Sequence, residues 1–218
     1  MAHNGNWKRL LLLIGVGVDL LLFGYMAYLL WDSGFGVIEA QANPSPTPTR
    51  ASVDLWDAYG EARAAAQAQA EDATCVSAST QWQSASEDVL LDGASNWAFV
   101  FYSPASGRSF DVTVNAGRAH VVNQTQEWVA PGVMAEAAWE KGPKEALLVF
   151  LACGGRAFLD AHPQAVVDVH LGRSDDGSAV WTVVALDAEN RAVLSLQVDA
   201  ETRQVLSNQL NQYAGGVK

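Results

Sequence analysis

Positive charge is scarce in this chain: 13 lysines and arginines stand against 24 acids, for a net charge of −11. After Arg9 the basic residues fall singly along the sequence, so no patch forms to neutralise a run of phosphates, and nucleic acid is not expected as a partner. Histidine is scarcer still, with four, and neither a His-x-x-x-His nor a Cys-x-x-Cys spacing occurs. His162 and His170, accompanied by Asp160 and Asp168, are the residues worth weighing as metal ligands. Asp168 and His170, at i and i+2, share one face of a strand. An ordinary solvated strand face accounts for them without an ion, so no metal ligand is assigned. A Gly-x-Ser-x-Gly motif is missing. Gly154-Gly155 lacks the preceding strand and the following Lys-Ser/Thr of a phosphate loop, and reads instead as a place where a helix loosens or a neighbour packs closely. No catalytic residue and no cofactor are expected; an enzyme reading would need a buried, mutually bonded Asp–His pair in a pocket. Cys75 and Cys153 are the only cysteines. In an oxidising compartment they are a candidate disulfide, with two buried thiols acting as small hydrophobes as the alternative.

Against these shortages stands one long apolar run. Leu10 to Trp31 is apolar apart from Asp19 and a few glycines, and about 20 such residues span a bilayer core as a helix. Lys8 and Arg9 precede the run and Asp32 and Glu39 follow it, a bias that places residues 1–9 in the cytoplasm and the remainder outside. The run is read as a single-pass transmembrane helix over 10–31, with Trp7 and Trp31 at the interfaces. A cleaved signal peptide ending near Ala40-Gln41-Ala42 is the alternative. Asp19 within the run, with Gly15 four residues before it, marks a candidate intramembrane contact with another helix. Residues 32–52 form a linker, whose Asn43-to-Arg50 stretch alternates proline and favours an extended spacer.

Beyond the linker the chain repeats itself. Phe110–Val122 lies over Leu194–Leu206 at an offset of 84, and Trp97–Phe101 over Trp181–Ala185 at the same offset. Both pieces alternate apolar and polar residues and break at Asn115-Ala-Gly117 or Asp199-Ala-Glu201, the pattern of strand, turn and strand. Thr74–Ser79 and Ala165–His170 are first strands at an offset of 91, which gives the first copy about seven extra residues around Ser84 to Gly93. Helical stretches precede them at Val53–Asp72 and Pro143–His162. The expected fold class is α+β: two tandem modules, 53–122 and 143–210, each a helix packed on a small antiparallel sheet. A connector over 123–142, helical at Val133–Glu140, buries Trp128, Met134 and Trp139, and a tail covers 211–218. The acids Glu87, Asp88, Asp92, Asp175, Asp176, Asp187 and Glu189 fall in expected loops, where they keep the surface solvated.

The stretch Val193-Leu-Ser-Leu-Gln-Val-Asp-Ala-Glu-Thr-Arg-Gln-Val-Leu206 resembles the closing hairpin of PepSY domains, an apolar strand, Asp-Ala-x-Thr-Gly, and a second apolar strand. Arg203 stands where that pattern has glycine, and the first copy retains only Asn115-Ala-Gly-Arg. The resemblance implies tandem, non-catalytic PepSY-like modules of a bacterial envelope protein, outside the cytoplasm and bound to a membrane or envelope protein. It implies a regulator of a peptidase or of envelope machinery; the alternative is a structural accessory subunit of an integral membrane complex, docked through the 10–31 helix, with hetero-complex formation or self-association.

Overall fold

The computed structural model describes residues 52–212. Strand alternation is the organising signal. Trp97, Phe99 and Phe101 of β2 (Asn96–Ser103) point to one side, as do Phe110, Val112 and Val114 of β3 (Arg108–Asn115). The same side receives Trp181, Val183 and Ala185 of β6 (Ala179–Asp187) and Leu194, Leu196 and Val198 of β7 (Ala192–Asp199). With β1 (Thr74–Trp82), β4 (Arg118–Gln126), β5 (Val166–Arg173) and β8 (Val205–Gln212) they form one eight-stranded antiparallel sheet, in the order β4-β3-β2-β1-β5-β6-β7-β8.

This overturns the expected architecture. The two halves are not tandem modules with a sheet each; they are halves of one mostly-β structure. The first strands of the halves pair with each other, from Ala78↔Leu171 to Trp82↔Val167. Each half alone would expose both edges of its sheet, and edge strands offer unpaired backbone groups, so the β1–β5 pairing satisfies two of four edges at once. The 84-residue offset survives as register within that sheet: Trp97 faces Val114 across β2–β3, and Trp181 faces Val198 across β6–β7. The extra residues of the first half hold α2 (Glu87–Asp92), capped by the Ser86 hydroxyl.

The helices cover the inward face. α1 (Leu55–Gln67) begins where the Asp54 carboxylate accepts a hydrogen bond from the Trp56 backbone N–H, and buries Leu55, Ala58, Tyr59, Ala62 and Ala66. The stretch expected as one helix over Pro143–His162 is broken. α3 (Pro143–Phe150) ends in a widened turn, Leu151–Gly155, before α4 (Arg156–Ala161). Gly154 there takes a φ of +111°, open to glycine alone, and Gly155 lies against the Phe150 ring. Among the described residues no helix is long and apolar enough to cross a membrane. The predicted span at 10–31, with Gly15 and Asp19, lies outside the described residues.

The expected connector also shifts. β4 runs to Gln126, and only a 3₁₀ turn, Glu136–Trp139, stands where a helix over Val133–Glu140 was expected. Trp139 is fully buried, stacked on Trp56 at 4.6 Å, and Met134 is buried with it, whereas Trp128 is left 96% exposed.

Candidate functional site

The hairpin that suggested a family owes its sequence to local turn chemistry. The Asp199 carboxylate accepts hydrogen bonds from the Glu201 and Thr202 backbone N–H groups and from the Thr202 hydroxyl. These contacts hold its carboxyl below the usual range, the Thr202 backbone N–H foremost. Arg203 closes the turn at a φ of +67°, a left-handed conformation that favours glycine. Asp-Ala-x-Thr is thus a turn-forming signature before it is anything else.

Asp187, expected in a solvated loop, is buried, at 3% exposure. Its carboxylate accepts from the Glu189 and Asn190 backbone N–H groups and from the Asn190 side-chain amide at 2.6 Å. It also meets His162 Nδ1 at 2.8 Å. The Asn190 amide and backbone N–H, together with His162, hold the Asp187 carboxyl down at about 2. The signal for this was present in Asp187-Ala-Glu-Asn190, an acid two and three residues ahead of N–H groups it can cap. The pair locks the end of α4, where Phe158 also packs on the His162 ring at 4.5 Å, to the β6–β7 turn.

His162 also lines a groove of about 370 Å³ between α4 and the β7–β8 hairpin, with Cys153, Ala157, Leu194 and Leu210. A buried Asp–His pair therefore does border a pocket. Cys153 reaches this groove from the widened turn and His162 from the end of α4. Among the described residues no hydroxyl or thiol bonds the imidazole.

Asp168 and His170 share the sheet's other face, as their spacing required, beside a cleft of about 500 Å³ that Ser79, Gln81 and Thr113 also line. Asp168 accepts a hydrogen bond from Gln81 Nε2 at 2.7 Å. Among the described residues no group of three or more histidine, cysteine or acidic side chains could hold a metal ion. Asp160 and His162 do not come together as a site, since His162 bonds Asp187 instead. Cys75 and Cys153 are separate free thiols, one buried at the start of β1 and one half-buried in the widened turn. Burial pushes the Cys75 thiol up to about 12.

Strand β8 is one edge of the sheet. Val205-Leu-Ser-Asn-Gln-Leu-Asn-Gln212 has neither a charge nor a proline, and on its free side it borders no other described strand. Leu206 and Leu210 are 50% and 59% exposed. Leu206 sits at the bulge where the β7–β8 register slips, between Gln197↔Ser207 and Val198↔Val205. It lines a small cleft on the sheet's second face beside Val180, Thr182 and Gln197, while Leu210 lines the α4 groove on the first. The opposite edge, β4, carries Arg118 and His120. A long, uncharged edge is what natural sheets ordinarily avoid.

Comparison with known proteins identifies no family: no family model and no curated protein matches the chain. A crystal structure of a candidate lipoprotein from Clostridium difficile 630 aligns with a TM-score of 0.42 at 12% identity, over 71% of this chain and 93% of that one. With one continuous sheet in place of two helix–sheet units, the PepSY resemblance is set aside.

Proposed function

We propose that this protein is a binding module that captures an extended segment of a partner protein by adding it as a ninth strand at β8. The observation that carries the reading is the edge itself: eight residues without charge or proline, flanked on both faces by half-exposed leucines. Main-chain hydrogen bonds along such an edge supply affinity, and pockets on either face, here beside Leu206 and Leu210, select alternate side chains of the incoming strand. A partner is favoured over a second copy because a net charge of −11 makes two copies repel. We place the binding outside the cytoplasm, on the strength of the apolar 10–31 run read as an export or anchoring segment. A peptidase under regulation and a membrane complex needing an accessory subunit are two partners this reading accommodates.

The test is photo-crosslinking in the native cell with a benzophenone side chain at position 209 on β8 or at position 120 on β4. One discrete partner captured from position 209 and not from 120, and lost at least fivefold with Leu210→Lys, supports strand capture. Equal capture from both edges, or capture indifferent to Leu210→Lys, rejects it.

A further inference from the structure

We propose that the groove between α4 and the β7–β8 hairpin seats a phenol, the side chain of a tyrosine on the captured segment, which rests on strand capture for the source of that phenol. The groove measures about 370 Å³. That is near the lower end of small-molecule sites, roughly 300 to 1,000 Å³, and gives room for one aromatic group. It is open surface: Gly154, Ala157, Ala161 and Leu210 are exposed, and only Phe158 and Leu194 of its lining are buried. Asn208 and Leu210, two apart on β8 and therefore on one face, both border it. A strand added to β8 raises side chains on that same face, beside Ala157 and Ala161 of α4. Asn208 Nδ2 also donates to the Cys153 carbonyl at 3.1 Å, which ties β8 to the widened turn.

One imidazole stands in this apolar lining. The His162 side chain is 13% exposed, and its Nδ1 meets the Asp187 carboxylate. That carboxylate is ionised at neutral pH and can only accept, so Nδ1 carries a proton and, in the neutral ring, Nε2 keeps a lone pair. Nε2 bonds no group among the described residues, yet it is not sealed in: among those residues the buried side-chain nitrogen or oxygen without a partner is Trp139 Nε1. An acceptor neither bonded nor sealed, on a side chain that lines the groove, opens onto it. Its complement is a donor on an uncharged apolar body. No lysine, arginine or acid lines the groove, so a charged ligand would lose water there without gaining a counter-charge. Phenylalanine fills the space and leaves Nε2 unbonded, whereas serine and threonine bond it and leave the space unfilled. Tyrosine does both, with its ring against Ala157, Leu194 and Leu210 and its O–H donated to Nε2. With an ordinary pKa of about 10, the phenolic O–H is also a stronger donor than the N–H of an indole.

The experiment is a fluorine-NMR titration of the full chain in neutral detergent with 4-fluorophenol, set against 4-fluoroanisole, which keeps the ring and lacks the donor. The phenol should bind about fivefold tighter, the preference one net hydrogen bond supplies. His162→Phe should bring the phenol to the level of the anisole, while His120→Phe on the exposed β4 edge leaves the preference intact. Because His162→Phe also takes a partner from Asp187, Ala157→Trp is the second variant: it fills the groove, leaves His162 and Asp187 in place, and should abolish saturable binding of both probes. In the cell, Ala157→Trp should cut photo-capture from position 209 about fivefold, and the captured segment should carry a tyrosine. Equal binding of phenol and anisole, tighter binding of 5-fluoroindole, a preference that survives His162→Phe, or capture indifferent to Ala157→Trp overturns the assignment. Phenol bound as described, with no partner captured from position 209 by the parent protein, sustains the chemistry of the groove and rejects strand addition at β8.

Discussion

Gly155→Ala and Gly60→Ala are the same chemical change in two helical positions, and the structure gives them opposite signs. Gly155 has helical dihedrals, φ −57° and ψ −42°, so alanine there gains the usual backbone-entropy advantage over glycine, about 0.5 to 1 kcal/mol. A Cβ at that position would lie 2.5 Å from Phe150 Cδ1 and 2.7 Å from the Phe150 carbonyl oxygen, about 1 Å inside ordinary contact. Phe150 is fully buried, and its carbonyl belongs to the backbone of the widened turn, so neither atom can yield without moving its surroundings. Overpacking of this kind costs about 1 to 3 kcal/mol, and the rigid carbonyl puts Gly155→Ala at the upper end. The net effect is a loss of about 2 kcal/mol, read as a fall in Tm of about 4 to 8 °C for a domain of this size. Gly60 lies within α1 with nothing inside 4 Å of the same Cβ, so Gly60→Ala should gain about 0.5 to 1 kcal/mol. Urea unfolding of both variants with an unchanged m-value measures the difference directly. A Gly155→Ala protein as stable as the parent would refute the packing assigned to the α3–α4 junction.

Three further outcomes follow from named contacts. Arg203→Gly relieves a left-handed backbone that costs an L-residue about 1 to 2 kcal/mol, less the greater entropy loss of glycine, so a gain of about 0.5 to 1 kcal/mol is expected by calorimetry. Asp187 has its folded pKa near 2, below the ordinary 3.8, so its stabilising contribution is present above pH 3.8 and is lost as the pH falls toward 2. Asp187→Asn should therefore lower the urea midpoint at pH 7 and flatten its decline between pH 4 and 2; a parallel acid limb in both proteins contradicts the buried pairing with Asn190 and His162. A thiol titration at pH 8 should find one reactive group per native chain, Cys153, with Cys75 appearing only after unfolding, because burial keeps the Cys75 thiol neutral. No titratable thiol in the unfolded, unreduced protein would mean a disulfide instead.

The inward alternation of Trp97, Phe99 and Phe101, the matched alternation of Leu194, Leu196 and Val198, and the turns at Asn115–Gly117 and Asp199–Glu201 were all readable in the sequence, because strand period and turn chemistry are local properties. The widened turn at Gly154-Gly155 was readable in the same way, as a place where a helix loosens. The pairing of β1 with β5 was not readable, since nothing in either strand names the partner for its free edge; burial of two edges at once decides it, and with it one sheet in place of two modules. Asp187 looked like a loop acid because its charge is local, whereas its burial depends on His162 at the end of another element. Sequence determined which residues face inward and where the chain turns; only the tertiary structure decided which edges meet and which acids lose their water.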